Sequence, residues 1–381
     1  MTTLFLAKKK TSSVDWAALG AALALSVLGL VTMNSFTEQD PFFLRQATWI
    51  ALGVIVFFIA SAIDWRFLRR SGVAAGMYGA LIVPLVALIL VGQVVQGARS
   101  WFDLGPFALQ PVEFAKLALI ILLAKYFSRR HIEIANLRHI LVSGAYALVV
   151  FVLVALQPDF GSAIIIALIW LGLVLLSGLS RKHLFAVLAL GVVAFAGLWF
   201  FGFEDYQKQR VLTFLHPLAD IHGAGYNAYQ STVAVGSGEF LGKGIGYGTQ
   251  SKLRFLPEYQ TDFIFAAFAE EWGFVGVCGV FALYGVIFWR ILLSAARGAS
   301  NFETLFALGV LCYFVAHFTL HVGINVGLLP VTGTTIPFMS YGGSHLLAEF
   351  LALGILSGQR RYSRVGHPEM MEREFSGGYD R

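Results

Sequence analysis

Charge is scarce in this chain. Of its 381 residues only 13% are charged, while 57% are hydrophobic and mean hydropathy is +0.74. A soluble domain of this length cannot keep so apolar a surface in water, so the composition excludes that class and points to a polytopic membrane protein. Cysteine is nearly absent. Cys278 and Cys312 both fall in apolar stretches, which excludes a disulfide framework and leaves two small buried hydrophobes. The positive surplus is slight, at +5. It does not suit nucleic-acid binding and fits basic cytoplasmic loops. No low-complexity tract and no internal repeat is visible, so the inverted halves of many transporters are not evident. Residues 1–13 are polar, with Lys8, Lys9 and Lys10, and the next apolar run is long enough to span. No cleaved leader is therefore expected, and no soluble domain at either end.

Long apolar runs are what the chain has in abundance. About ten recur, most of them long enough to cross ~30 Å of hydrocarbon. They cover residues 16–33, 44–63, 73–91, 111–127, 140–156, 162–176, 184–201, from 262 to about 293, about 303–324 and 344–356. The expected fold is all-α, with about ten transmembrane helices in one membrane domain over 1–381. If the spans alternate, most Lys and Arg fall on one side, among them Arg66, Arg69, Arg129, Arg130, Arg181, Arg290, Arg297 and Arg360. The positive-inside rule makes that side cytoplasmic, with both termini and the tail 365–381 there. A large loop, 202–261, is then extracytoplasmic between the seventh and eighth spans. It mixes aromatics with glycine and Lys/Arg and is expected to fold at the membrane surface.

The stretch 256–273 joins that loop to the eighth span. Asp262, Ala266 and Glu270 are four apart, so one continuous helix would put them on one face, with Glu270 roughly 12 Å deeper. An acid inside a membrane is costly and is a functional candidate. The plainer alternative is that Thr261 or Asp262 only caps the helix. Glu113 and Lys116 are three apart on the fourth span and can pair. The pair is either structural or a site where Lys116 meets an external anion. Arg99 beside Trp101 reads as an interfacial anchor, and Asp159 in Gln157-Pro-Asp-Phe-Gly161 as a local cap. Gly242-Lys243-Gly244 lacks the Gly-Lys-Ser/Thr ending, so it is no nucleotide P-loop, although its backbone and Lys243 could touch a pyrophosphate. His317, His321 and Asn325 share a face of the ninth span, and His345 and Glu349 share one on the tenth. Metal binding is possible chemistry there, but hydrogen bonding between helices suits them better. Residues 328–344 break the apolar pattern with prolines, glycines and hydroxyls. Such backbone survives at membrane depth only where protein buries it or it lines a wet cavity.

Together, several blocks resemble the SEDS (shape, elongation, division, sporulation) family of the RodA/FtsW type. They are Gln110-Pro-Val-Glu113-Phe-Ala-Lys116, Gln157-Pro-Asp159-Phe-Gly161, Asp205-Tyr-Gln-Lys-Gln-Arg210, Gly236-Ser-Gly238, Gly242-Lys-Gly244, Phe255-Leu-Pro-Glu258 with Thr261-Asp262, and Ser340-Tyr-Gly-Gly-Ser344. They fall in order over nearly the whole chain. Gly248-Thr-Gln-Ser-Lys252 and Gly327-Leu-Leu-Pro330 look more like the RodA, or elongation, pattern. Gln260, Thr332-Gly-Thr-Thr335 and the turn at 217–222 depart from it.

The resemblance implies an inverting peptidoglycan glycosyltransferase that polymerises lipid II at the outer face of the cytoplasmic (inner) membrane. Its implied partners are a class B penicillin-binding protein, other elongation-complex proteins and membrane lipids, with no nucleic acid. It implies Asp262 as general base. Glu113, Lys116, Arg45, Arg99, Asp159, Arg210, Lys243, Glu258 and Ser340 are expected to bind substrate or shape the cavity, with a cation at the pyrophosphate. A divalent ion, Mg2+ or Mn2+, could share that role, but no dedicated ligand set is visible. A lipid II flippase and a membrane scaffold are the competing readings.

Overall fold

The computed structural model describes residues 14–35, 41–95, 98–103, 105, 108–128, 137–178, 181–203, 205–215, 225–253, 255–256 and 258–362. Lys8, Lys9, Lys10, Arg129, Arg130, the 217–222 turn and the 365–381 tail lie outside the described residues.

In chain order the helices are α1 (Trp16–Asn34), α2 (Pro41–Ala62), α3 (Ser71–Val91), α4 (Pro111–Ser128), α5 (Leu137–Ala155), α6 (Phe160–Leu176) and α7 (Arg181–Gly197, ending in a π-helical turn Leu198–Gly202). The external loop then contributes α8 (Asp205–Leu215), α9 (Tyr226–Ser237) and α10 (Thr249–Lys252). The bundle is completed by α11 (Ile264–Ala296), α12 (Asn301–Asn325) and α13 (Gly343–Gln359). Leaving out the three loop helices, ten remain among the described residues, one for each apolar run. Seven are long and apolar enough to cross a membrane by length and composition. The other three, α4, α6 and α13, are short or carry buried ionisable groups.

The helix starts follow local chemistry. Asp15 accepts from the Ala18 N–H at 3.2 Å, Asp159 from the Ser162 N–H at 3.0 Å, and Pro111 opens α4, where a missing N–H costs nothing. α4 is buried along almost its whole length, packed by α3, α5, α6, α12 and α13. α2 lies along α13 closely enough that a Cβ at Gly354 would come 2.8 Å from the Phe57 carbonyl oxygen. At one end of the bundle Asp15 joins Arg290 at 2.9 Å and Arg360 at 3.1 Å, and Arg69 joins Glu303 at 2.7 Å. The start of α1 and the later parts of α11 and α13 therefore meet on one side, as alternating spans and the basic-loop rule require.

Three features depart from expectation. Cys278 is exposed on α11 and Cys312 only half-buried on α12, where both were expected to be buried. The connection before α4 is a small antiparallel sheet, β1 (Gln93–Val95), β2 (Ala98–Asp103) and β3 (Ala108–Leu109), in that spatial order. More consequentially, the run from 264 is not one straight helix. Gly273 takes φ 63° and ψ −166°, a conformation that a side chain would oppose. Phe265 and Phe281 would be about 24 Å apart along a continuous helix. Their rings stack at 6.0 Å. The chain turns back at Gly273, so residues 264–272 form a short arm that folds against the longer arm, 274–296.

Candidate active site

The hairpin reverses the expected depth order. The long arm runs down to Arg297 on the basic side, so Gly273 is its outer tip and the short arm climbs towards that tip. Glu270 sits near the tip, fully buried under the external loop. It accepts from Lys243 Nζ at 2.7 Å, Thr249 Oγ1 at 3.0 Å and the Gln250 N–H at 3.2 Å. Asp262 is at the inner foot of the short arm. It stands ahead of the helix, in a turn closed by the Thr261 and Phe263 N–H groups donating to Glu258 O at 3.1 and 3.2 Å.

Asp262 does not cap that helix. Phe263 takes the cap position with no side-chain cap bond, and the Ala266 N–H is satisfied by Asn325 Oδ1 at 3.0 Å. Among the described residues no hydrogen bond or ion pair engages the Asp262 carboxylate, which is half-buried. Burial raises its pKa to about 7. Glu258 adds to the rise, Arg210 on α8 opposes it, and Asp159 adds a smaller push. The Asp159 carboxyl is itself raised by burial, against its bond from Ser162 and the pull of Lys116. Gln110 Nε2 donates to it at 3.3 Å.

The non-helical stretch 328–342 holds this turn in place, and its own backbone groups are met by side chains as a buried irregular segment requires. Ser340 Oγ donates to Thr261 O at 2.9 Å and accepts from the Ile336 N–H at 2.9 Å. The Tyr341 N–H reaches Gln260 O at 2.8 Å, and Gln46 Nε2 reaches Ser340 O at 3.1 Å. His317 and His321 hold the carbonyls of Thr335 and Thr334 at 3.1 and 2.6 Å, and Glu349 accepts from the Phe338 N–H at 2.7 Å. Hydrogen bonding between segments is thus what the two histidines do.

Behind this wall lies a second polar group, sealed in the bundle. Lys116 Nζ donates to Glu113 Oε1 at 2.8 Å and to His317 Nε2 at 3.2 Å. His345 lies between Glu113, at 3.1 Å, and Glu349, at 2.7 Å, and Tyr313 donates to Glu113 at 3.3 Å. Among the described residues, Glu113, His317 and His345 are the group whose donor atoms lie close enough together for a metal. The Lys116 ammonium already occupies two of those donors, and His317 spends Nδ1 on Thr335, so the group does not fit a cation.

The structure therefore sorts the residues singled out from the sequence. Asp262, Glu258, Asp159 and Arg210 come together electrostatically, and Ser340 braces them. Lys116 is 0% exposed and cannot meet an external anion, which favours the structural reading of its pair with Glu113. Lys243 is a latch on Glu270. The N–H groups of residues 243 and 244 close onto Glu270 O and Glu271 O at 3.0 Å each, so that glycine loop wraps the hairpin tip instead of facing a phosphate. Arg45 and Arg99 are exposed and are not among the charges acting on Asp262. Sequence reasoning underrated Asn325 and missed Gln110. Asn325 stood on the right helix face, but its partner at Asp262 is 63 residues away in the chain.

Comparison with known proteins agrees with the family resemblance and with the fold. The model of the FtsW/RodA/SpoVE cell cycle protein family matches residues 10–365. The peptidoglycan glycosyltransferase MrdB of Escherichia coli (strain K12) is 39% identical over 335 residues, covering 88% of this chain and 90% of that protein. The stage V sporulation protein E of Bacillus subtilis (strain 168) is 33% identical over 365 residues, covering 93% and 99%. A chain from a peptidoglycan synthase complex, solved for its coordination of polymerization and crosslinking, superposes with TM-score 0.78 at 32% identity, covering 91% of this chain and 98% of its own. The rod shape determining protein RodA of Thermus thermophilus superposes with TM-score 0.68 at 30% identity, covering 92% and 97%. With its ten-helix bundle and a family match over almost its whole length, this chain belongs to the FtsW/RodA/SpoVE family.

Proposed function

We propose that this protein polymerises lipid II into glycan strands at the outer face of the cytoplasmic membrane, with Asp262 as its general base. The glycosyltransferase activity, the multi-pass inner-membrane setting and a class B penicillin-binding protein as partner follow from the MrdB relatives and the synthase complex. Identity is 39% to MrdB, against 34% and 37% to the FtsW proteins of Nitrosococcus halophilus and Alkalilimnicola ehrlichii, and the role is in elongation and rod shape.

The observation that carries the base assignment is a half-buried carboxylate, unengaged among the described residues, with its pKa at about 7. A base is most effective when its pKa lies near the working pH. The acceptor sugar hydroxyl attacks the anomeric carbon of the donor. The new C–O bond forms as the bond to the pyrophosphate oxygen breaks, the proton passes to Asp262, and the lipid pyrophosphate leaves. One in-line displacement converts the α-linked donor into a β-linked product. Arg210 is the cation that acts on Asp262 and is exposed to meet the pyrophosphate. Asp159 and Glu258 fall outside the group of donor atoms close enough together for a metal among the described residues, and both Asp159 oxygens already accept hydrogen bonds. The charge on the leaving group is therefore met by Arg210 and not by Mg2+ or Mn2+ held at this site.

Purified chain and partner, with the transpeptidase blocked by a β-lactam, are expected to form glycan polymer from lipid II. Transbilayer movement of lipid II without polymer would instead support a flippase.

A further inference from the structure

Asn325 stands where a helix hydrogen bond would otherwise form. If α11 began one residue earlier, its first bond would join the Ala266 N–H to the Asp262 carbonyl, four residues back. The Asn325 side chain is inserted between them instead. Its Nδ2 donates to Asp262 O at 2.9 Å, and its Oδ1 accepts from the Ala266 N–H at 3.0 Å. The amide orientation is forced, because Nδ2 also faces His321 O at 2.8 Å and only the amine end donates to both carbonyls. Asn325 is 0% exposed, and its own carbonyl accepts from Ser231 Oγ of α9 at 2.9 Å. The helix ladder accordingly starts one residue later, with the Ala267 N–H donating to Phe263 O at 3.1 Å.

We propose that Asn325 is a positioning residue: it wedges the first turn of α11 open and so keeps the Asp262 carboxylate out of the helix cap and available to the acceptor hydroxyl. Without the wedge, the Ala266 N–H and the Asp262 carbonyl pair directly, and Asp262 becomes the N-cap. A capping aspartate turns its carboxylate onto the first-turn N–H groups, which favour its charged form. The result is a weaker base aimed at the backbone. The charged and titratable groups facing Asp262 are Glu258 from its own turn, Asp159 from the start of α6 and Arg210 from α8. His321, whose carbonyl holds Asn325, donates its ring N–H to Thr334 O.

This inference rests on Asp262 being the base, and the test separates the two claims. Glycan polymerisation by the full chain with its partner is followed across pH for wild type, Asn325→Ala, Asn325→Asp and Asp262→Ala. Asn325→Ala is expected to fold and bind the partner normally, lose about 10- to 100-fold in plateau rate, and move its acid limb about one unit lower. Asn325→Asp keeps an acceptor for the Ala266 N–H and adds a second carboxylate beside Asp262, so its acid limb moves up. Should Asn325→Asp not fold, Asn325→Ala decides alone. An unchanged rate in Asn325→Ala, a lower rate with a fixed acid limb, or loss of folding in Asn325→Ala would each overturn the wedge. Polymerisation by Asp262→Ala would overturn the base assignment and the wedge together. An inactive Asp262→Ala beside a normal Asn325→Ala would overturn the wedge alone.

Discussion

Two of the groups of ionisable side chains among the described residues differ in one respect that separates architecture from chemistry. In the inner group every charge has a partner. Lys116 is bonded to Glu113 and His317, and His345 lies between two carboxylates. In the outer group, Asp262 is half-exposed, faces two acids of its own sign and has only Arg210 opposed to them. Buried pairs that satisfy one another hold helices in register, and removing one member leaves the other uncompensated. A carboxylate kept away from partners is poorly stabilised as an anion, and for that reason it takes up a proton near neutral pH.

The largest expected effect is chemical. Asp262→Ala should lower polymerisation by about 10²- to 10⁴-fold, the usual range for a general base, while the thermal midpoint of the complex stays unchanged. The inner group should respond in the opposite way. Glu113→Ala leaves the Lys116 ammonium buried with His317 alone, and unfolding titrations should show a loss of about 3–5 kcal/mol. If the folded fraction of Glu113→Ala were as stable as wild type and only its rate fell, the division into architecture and chemistry would fail.

Finer changes probe the outer group. Activity needs Asp262 ionised, so the rate should fall as pH drops through about 7, where its pKa lies. Glu258→Gln removes a repelling charge and should move this acid limb down by about half a unit, whereas Arg210→Gln should move it up by a similar amount. A limb that stays put in both would detach it from Asp262. The latch should have the smallest effect on rate. Lys243→Ala leaves the buried Glu270 carboxylate with Thr249 and the Gln250 N–H, so stability should drop by about 1.5–3 kcal/mol, with little change in rate.

Much of the bundle was legible in the sequence, because span length and apolar content decide it. The fourth and tenth spans were legible despite their charges, since Glu113 with Lys116 and His345 with Glu349 recur at helix spacing. The hairpin at Gly273 was not. Residues 264–293 read as one apolar run, and a glycine in such a run gives no sign of its φ. The depth order of Asp262 and Glu270 was lost with it. Arg45, Arg99 and Lys243 illustrate a related limit. Residue type marks a cation as able to meet a pyrophosphate, but only the fold shows that Lys243 is spent on Glu270.

The most direct measurement is made on one preparation of the Asp262→Asn complex, with lipid II polymerisation and thermal unfolding recorded side by side. Asparagine keeps the shape of the side chain and removes its basicity. The expected result is a wild-type midpoint with polymerisation reduced by at least about 100-fold. Retained polymerisation would remove Asp262 from the chemistry, and a lowered midpoint accompanying the loss would make it part of the architecture.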